Sequence, residues 1–494
     1  MSEEILINIT PMETRIALIE NRLLQEIFIE RRNSGGRVGS IYHGQVVRVM
    51  PGMDAAFVDI GLGKAGFIHA LDISPIAEGG FEVREDPHRG IEALVREGQF
   101  LVVQVVKDAI STKGARLSTH LTLPSRNLVF LPRGQHLRIS QSLQGEEERS
   151  RLMTVLEQCL VDEGKTLLDR GGYIIRTAAE GVTAAEIRED IRYLSRLWGK
   201  VEKRIVKSGT IKTVHNEVPL YIRVIRDFIT PRVEKIRVDN KQLCDEITQF
   251  SGGCVPDLKV DVELYLEDRP IFDIYGIEDE INKALDRKVK LKSGGDLIID
   301  QTEAMTTIDV NTAGYLGSSN QAETILKINL EAAVEIARQL RVRNLGGIVI
   351  VDFIDMTELD HQRQVQQTFN KALEKDHART ATTDLSPIGL IEMTRKRTRE
   401  SLGQVVNDPC IVCAGRGRQK SAETVCCEIF REMLRVVNTC ENDMLLVIAS
   451  QIIVDRLLDE EFTGLTELEE LVGKTVKFEV EPMYTQEEFD VVLS

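Results

Sequence analysis

Residues 305–314 read M-T-T-I-D-V-N-T-A-G, and residues 346–356 read G-G-I-V-I-V-D-F-I-D-M. Each is an apolar β-type run broken by a carboxylate, Asp309 in the first and Asp352 in the second. Between them, residues 321–343 carry Ile325, Ile328, Ala332, Ile336 and Leu340 at helical spacing. Strand, helix and strand predict a βαβ unit, its strands parallel and adjacent if no other strand intervenes. Asp309 and Asp352 then fall near one edge of a sheet. An ionised carboxylate in a buried strand is costly unless it is paired or binds a metal. Two side by side repel, and a divalent cation relieves both penalties. Oxygen donors point to a hard metal, Mg²⁺ first. Each aspartate also has an ordinary reading, as a helix N-cap or a salt-bridge partner. Asn311 and Asp355 add polar groups nearby.

Working outward, 494 residues exceed one ordinary core and predict two to four domains. Hydrophobic content of 42% and charged content of 28% are those of a globular protein. No run of about 18 apolar residues suggests a membrane span, and the first residues, M-S-E-E-I-L-I-N-I-T, do not read as a signal peptide. The eight cysteines are sparse for this length, so reduced thiols and a cytoplasmic setting are expected. The net charge of −16 argues against a uniformly phosphate-binding surface. The charge is uneven, however. Residues 419–494 hold 17 acidic and 6 basic residues. The rest is near neutral, so a local nucleic-acid patch is allowed.

Residues 1–36 give three strand-like runs, too few for a core, and are expected to complete a sheet with residues 222–284. Residues 37–119 place glycines at the corners of short strands spaced 8–12 residues apart, the pattern of a small β-barrel. V-G-S-I-Y-H-G-Q-V-V-R-V (38–49), F-V-D-I-G (57–61) and G-F-I-H (66–69) resemble an S1-type OB-fold. There Phe57 and Phe67 form a base-stacking platform, or else fill the barrel core. Lys107 and Lys113 are candidate phosphate contacts, and residues 75–96 read as an inserted loop. Residues 120–221 mix strands and helices, and Arg176 with Thr177 at a strand end makes a candidate anion clamp. In 285–400 a further strand, 388–393, leads into T-R-K-R-T-R, whose Arg395, Lys396 and Arg397 are candidate phosphate contacts or a solvated face.

D-P-C-I-V-C-A-G-R-G (408–417) is half of a zinc knuckle. Tetrahedral zinc needs four ligands and Cys410 with Cys413 supply two, so two chains sharing one Zn²⁺ are expected; a redox dithiol is the rival. Residues 419–494 read as a small acidic domain suited to protein contacts.

I-D-V-N-T (308–312), G-G-I-V-I-V-D-F-I-D-M (346–356) and E-M-T-R-K-R (392–397), in this order behind the barrel, resemble the ribonuclease E/G family across essentially the whole chain. The chain lacks the long arginine- and proline-rich tail of the larger members, so the shorter branch is expected. The resemblance implies an α+β multidomain protein. Residues 1–36 with 222–284 would form a split, structural RNase H-like domain, and 37–119 the S1/OB RNA-binding barrel. Residues 120–221 would be a 5′-phosphate sensor built from Val129, Arg176, Thr177 and Arg379. Residues 285–400 would be a DNase I-like catalytic domain, 401–418 a zinc link and 419–494 a small C-terminal domain. It further implies a catalytic Mg²⁺ on Asp309 and Asp352, with Asn311 orienting the scissile phosphate or the water, and a structural Zn²⁺ joining a homodimer or a dimer of dimers.

The implied activity is metal-dependent endoribonucleolytic cleavage of single-stranded, A/U-rich RNA, favouring 5′-monophosphorylated ends and leaving 5′-phosphate and 3′-hydroxyl. Its roles would be rRNA and tRNA processing and mRNA decay. The alternatives are a non-catalytic S1-type RNA-binding scaffold and a phosphohydrolase of small substrates. Ser125 stands where the larger members carry glycine, and Gln141 and Ser142 where those larger members carry paired arginines. These departures bear on the strength of 5′ sensing.

Overall fold

The computed structural model describes residues 3–31, 37–74, 90–108, 114–141, 143, 145–165, 171–206, 210–229, 232–254, 260–312, 321–386, 388–397, 399–413, 415–437 and 444–493. Lys113 and Ser142 lie outside them, as does most of the 75–96 insert. The chain divides into two compact units, Met1–Leu402 and Gly403–Ser494.

In the larger unit, the run at 305–311 alternates as a strand must when one face meets a core. Thr306, Ile308 and Val310 are buried, while Met305, Thr307, Asp309 and Asn311 are exposed. The strand Met305–Asn311 pairs in parallel with Gly347–Asp352, and Asp309 stands opposite Asp352. The helix Gln321–Val342 connects them. With the helix Leu359–Leu373 it supplies Ile328, Ile336, Leu340, Val365 and Phe369 to the core under the sheet. Each fully buried Ile or Leu there contributes roughly 1.5–3 kcal/mol. Six strands form this sheet, and the pair bearing the two aspartates is its one parallel pair. A Cβ at Gly295 would sit 2.8 Å from the Asn311 carbonyl oxygen, so only glycine lets the turn before Asp296–Gln301 close against that strand.

Five strands close a barrel of OB type: Ile41–Met50, Ala55–Asp59, Gly66–His69, Arg116–Ser118 and Phe100–Lys107, the last returning to the first. Its core includes Val46, Val58, Ile68, Val103 and Leu117. Lys212–His215 adds a strand to this sheet, paired with Ile41–Met50. That pairing joins residues as far apart in sequence as His43 and Lys212, and no local pattern announces it. The strands Glu3–Ile9, Glu13–Glu20 and Leu23–Arg31 share a sheet with Val233–Val238 and Asp261–Leu264. A fourth sheet orders Leu137–Ile139, Gly172–Ile175, Leu128–Leu131 and Leu123–Pro124, with the helices Glu146–Asp162 and Ala184–Val206 completing its core.

The smaller unit sets Thr475–Val480, Met444–Ala449 and Phe489–Leu493 in one sheet, its core completed by the helices Ala422–Val437, Gln451–Asp459 and Phe462–Val472. Among the described residues, no helix is long and apolar enough to cross a membrane.

Candidate active site

Asp309, Asn311 and Asp352 are solvent-facing on the open side of the six-stranded sheet. The Asn311 amide donates to Asp309 Oδ2 at 2.7 Å. Neither aspartate has an ion-pair partner among the described residues. The helix-cap reading of Asp352 also fails, because the next helix begins at Leu359 behind Glu358. Partial desolvation, then the charges of Asp309 and Asp355, raise the Asp352 carboxyl above its usual range. The strand ends at Asp352, so its alternation does not extend to Asp355.

No group of three or more His, Cys, Asp or Glu side chains is placed to hold a metal ion among the described residues. The donor set is two carboxylates facing one solvent space, with an amide beside them. These oxygens are hard donors of the kind Mg²⁺ takes, so Asp309, Asp352 and Asn311 are the residues that would hold it.

Along the same open face, about four residues from Asp352, a cleft of roughly 340 Å³ is lined by Ile348, Arg379, Ala381, Thr394 and Lys396, among others. Lys396 and Arg397 are exposed. Arg395 is a correction. Strand alternation turns it inward with Ile391 and Met393, and it pairs with Asp376 at 2.7 Å, the two side chains 3% and 1% exposed. It also donates to the Leu345 carbonyl. Arg395 is therefore a structural clamp, unable to reach an RNA phosphate.

On the barrel, Phe57 and Phe67 are cross-strand partners with ring centroids 6.0 Å apart. Both are half-buried and neither joins the barrel core. The register extends this row, with Arg48 beside Phe57 on one side and Arg116, then Lys107, beyond Phe67 on the other. Arg48 and Lys107 are exposed. Arg116 is held by Asp72 at 2.8 Å. Arg48 was missed from sequence: the register shifts between Val46 and Arg48, so the two-residue period of the 41–50 run, counted from buried Val46, does not bring Arg48 out beside Phe57.

Val129 and Arg176–Thr177 belong to neighbouring antiparallel strands and their immediate exit. Thr177 Oγ1 lies 3.2 Å from Ser140 Oγ, and Arg379 reaches Gln141 at 3.4 Å. The fold thus brings Arg379, from the sheet bearing the aspartates, to the loop beside Arg176. Arg176 bonds Asp227 and the Ser125 carbonyl, each at 2.7 Å. Asp227 was also missed, since a carboxylate inside an amphipathic helix carries no sequence signal of its own.

In the smaller unit Cys410 is exposed and Cys413 partly so. Amide hydrogen bonds from Gly417 and Gly415, then Cys410, hold the Cys413 thiol below its usual range.

Comparison with known proteins gives the class. The model of the Ribonuclease E/G family matches residues 122–398. The chain is 50% identical over 496 residues to Ribonuclease G of Salmonella typhimurium (strain SL1344) and to Ribonuclease G of Escherichia coli (strain K12), with 100% of each chain covered. It is 34% identical over 434 residues to Ribonuclease E of Escherichia coli (strain K12), covering 87% of this chain and 40% of that protein. The chain belongs to the ribonuclease E/G family.

Proposed function

We propose that this chain, an endoribonuclease of RNA processing by its family, cuts single-stranded RNA at the open sheet face, with Asp309 and Asp352 as the reacting centre. The observation that carries this reading is the pairing of Asp309 opposite Asp352 on a solvent-facing surface, with no basic side chain among the described residues paired to either. Bound between them, Mg²⁺ would lower the pKa of water and offset charge building on the phosphate. Asn311 holds Asp309 in one orientation through its amide. Cleavage leaves a 5′-phosphate and a 3′-hydroxyl.

Phe57 and Phe67 present faces on which unpaired bases stack, and Arg48, Arg116 and Lys107 flank them with positive charge. Stacking reads no hydrogen-bonding edges, so preference for A/U-rich segments is modest and double-stranded RNA is a poor substrate. Lys396 and Arg397 are further phosphate contacts. Val129, Arg176, Thr177 and Arg379 receive a 5′-monophosphate. Residues 1–36 with 222–284 act as an RNase H-like support and 285–400 as a DNase I-like catalytic domain. Cys410 and Cys413 supply half of a zinc site shared between protomers of a homodimer or a dimer of dimers. Ile411, between the two cysteines and 91% exposed, would be covered by the partner. Precursors of rRNA and tRNA, and mRNA, are the substrates in a cytoplasmic setting.

The test is cleavage of one short A/U-rich RNA carrying either a 5′-monophosphate or a 5′-hydroxyl, with and without Mg²⁺. The proposal expects cutting only with the metal, faster on the monophosphate. Binding without cutting would favour a non-catalytic scaffold.

A further inference from the structure

We infer that Asp227 sets the specificity of the 5′ pocket by positioning Arg176; the inference rests on the reading of that pocket as a monophosphate sensor. Asp227 lies in the helix Leu220–Phe228. The apolar face of this helix packs into the core of the N-terminal sheet through Ile222, Val224 and Ile225. Asp227 Oδ1 accepts from Arg176 Nη1, which also donates to the Ser125 carbonyl. One guanidinium nitrogen is thus spent on the protein. Nε and Nη2 find no acceptor among the described residues. A planar guanidinium pinned at one corner presents its other edge as a fork matching two phosphate oxygens.

Asp227 is itself held from behind. Arg226 Nε and Nη2 bond its two oxygens at 3.2 and 3.1 Å, and Arg226 meets Glu217 at 2.8 Å. The line Glu217, Arg226, Asp227, Arg176 alternates in sign and carries no surplus charge. The net positive charge an arriving phosphate meets therefore comes from Arg379 rather than from this line, and what Arg176 adds is the geometry of its fork. A 5′-hydroxyl offers that fork nothing to hold. The next residue, Phe228, packs edge-on against His377 with centroids 4.7 Å apart, two positions before Arg379. Adjacent residues at one helix end thereby anchor the supports of both pocket arginines.

The test measures kcat and KM of the full-length enzyme on one RNA with either a 5′-monophosphate or a 5′-hydroxyl end. Asp227→Ala lowers the monophosphate-to-hydroxyl ratio of kcat/KM by about ten-fold, the size expected for a lost charge-assisted hydrogen bond. The loss sits in KM for the monophosphorylated RNA. Asp227→Asn, which keeps an acceptor oxygen, retains most of the ratio. A variant that merely loses folded protein lowers both rates together and leaves the ratio alone. Should Asp227→Ala fail to fold, Asp227→Glu carries the test: it moves the carboxylate by one methylene and lowers the ratio if positioning is the role. If Arg176→Ala lowers the ratio while Asp227→Ala keeps or raises it, Asp227's role is overturned and the sensor reading stands. If wild type shows a ratio near one, or Arg176→Ala leaves it unchanged, the sensor reading falls and Asp227's role with it.

Discussion

Asp309 stands directly opposite Asp352 across a parallel strand pair, and no basic side chain among the described residues neutralises either. Folding therefore holds two like charges together without protein compensation, which costs stability until a cation arrives. Asp352→Asn is expected to raise the thermal midpoint of the metal-free protein. Mg²⁺ is expected to stabilise wild type by about 2.7 kcal/mol at a hundred-fold excess over its Kd and so to raise its midpoint, with much less effect on the variant. Differential scanning calorimetry with and without Mg²⁺ reads both.

Arg395 and Asp376 form a buried pair, so breaking it leaves one charge uncompensated in the interior. Asp376→Asn is expected to cost about 3–5 kcal/mol in urea unfolding. Lys396→Ala, at an exposed neighbour, stays within about 0.5 kcal/mol of wild type in stability. It is expected to weaken RNA binding instead. Equal destabilisation by the two substitutions would contradict the inward placement of Arg395.

The barrel row predicts a division of labour. Phe57→Ala and Phe67→Ala each raise KM for single-stranded RNA by about ten-fold, since stacking one base is worth about 1–3 kcal/mol. Arg48→Ala is expected to lower the slope of log affinity against log salt by about 0.7, the value for one single-strand phosphate contact. Salt titrations of RNA binding separate these effects.

Amide hydrogen bonds at Cys413 favour its thiolate, whereas burial pushes the Cys426 thiol up to about 11. As pH rises from 6, alkylation of Cys413 is expected to begin below the pH at which an ordinary cysteine reacts. Cys426 stays unlabelled through pH 9 in folded protein. Added Zn²⁺ protects Cys410 and Cys413 and leaves exposed Cys427 reactive. Mass spectrometry of the alkylated peptides reads all four.

The Asp309 and Asp352 strands were legible because each side chain's fate follows from a two-residue period within one run. The same period, carried on from Leu390, places Arg395 indoors. Reading R-K-R as a block of charge obscured it. Asp227 and Arg48 were not legible, because their roles come from partners 51 residues away along the chain and across a barrel register. The strand Lys212–His215 is of the same kind: its partner is chosen by tertiary packing, on which the local sequence is silent.

The most direct measurement is cleavage of a short single-stranded RNA in Mg²⁺ by wild type and by the Asp309→Asn, Asp352→Asn double variant, each shown to be folded and to bind the RNA. The account predicts that the double variant binds with near wild-type affinity and cuts at least about a hundred-fold more slowly, because the carboxylates act in the transition state and the barrel in binding. Cleavage at the wild-type rate by the folded double variant would contradict it.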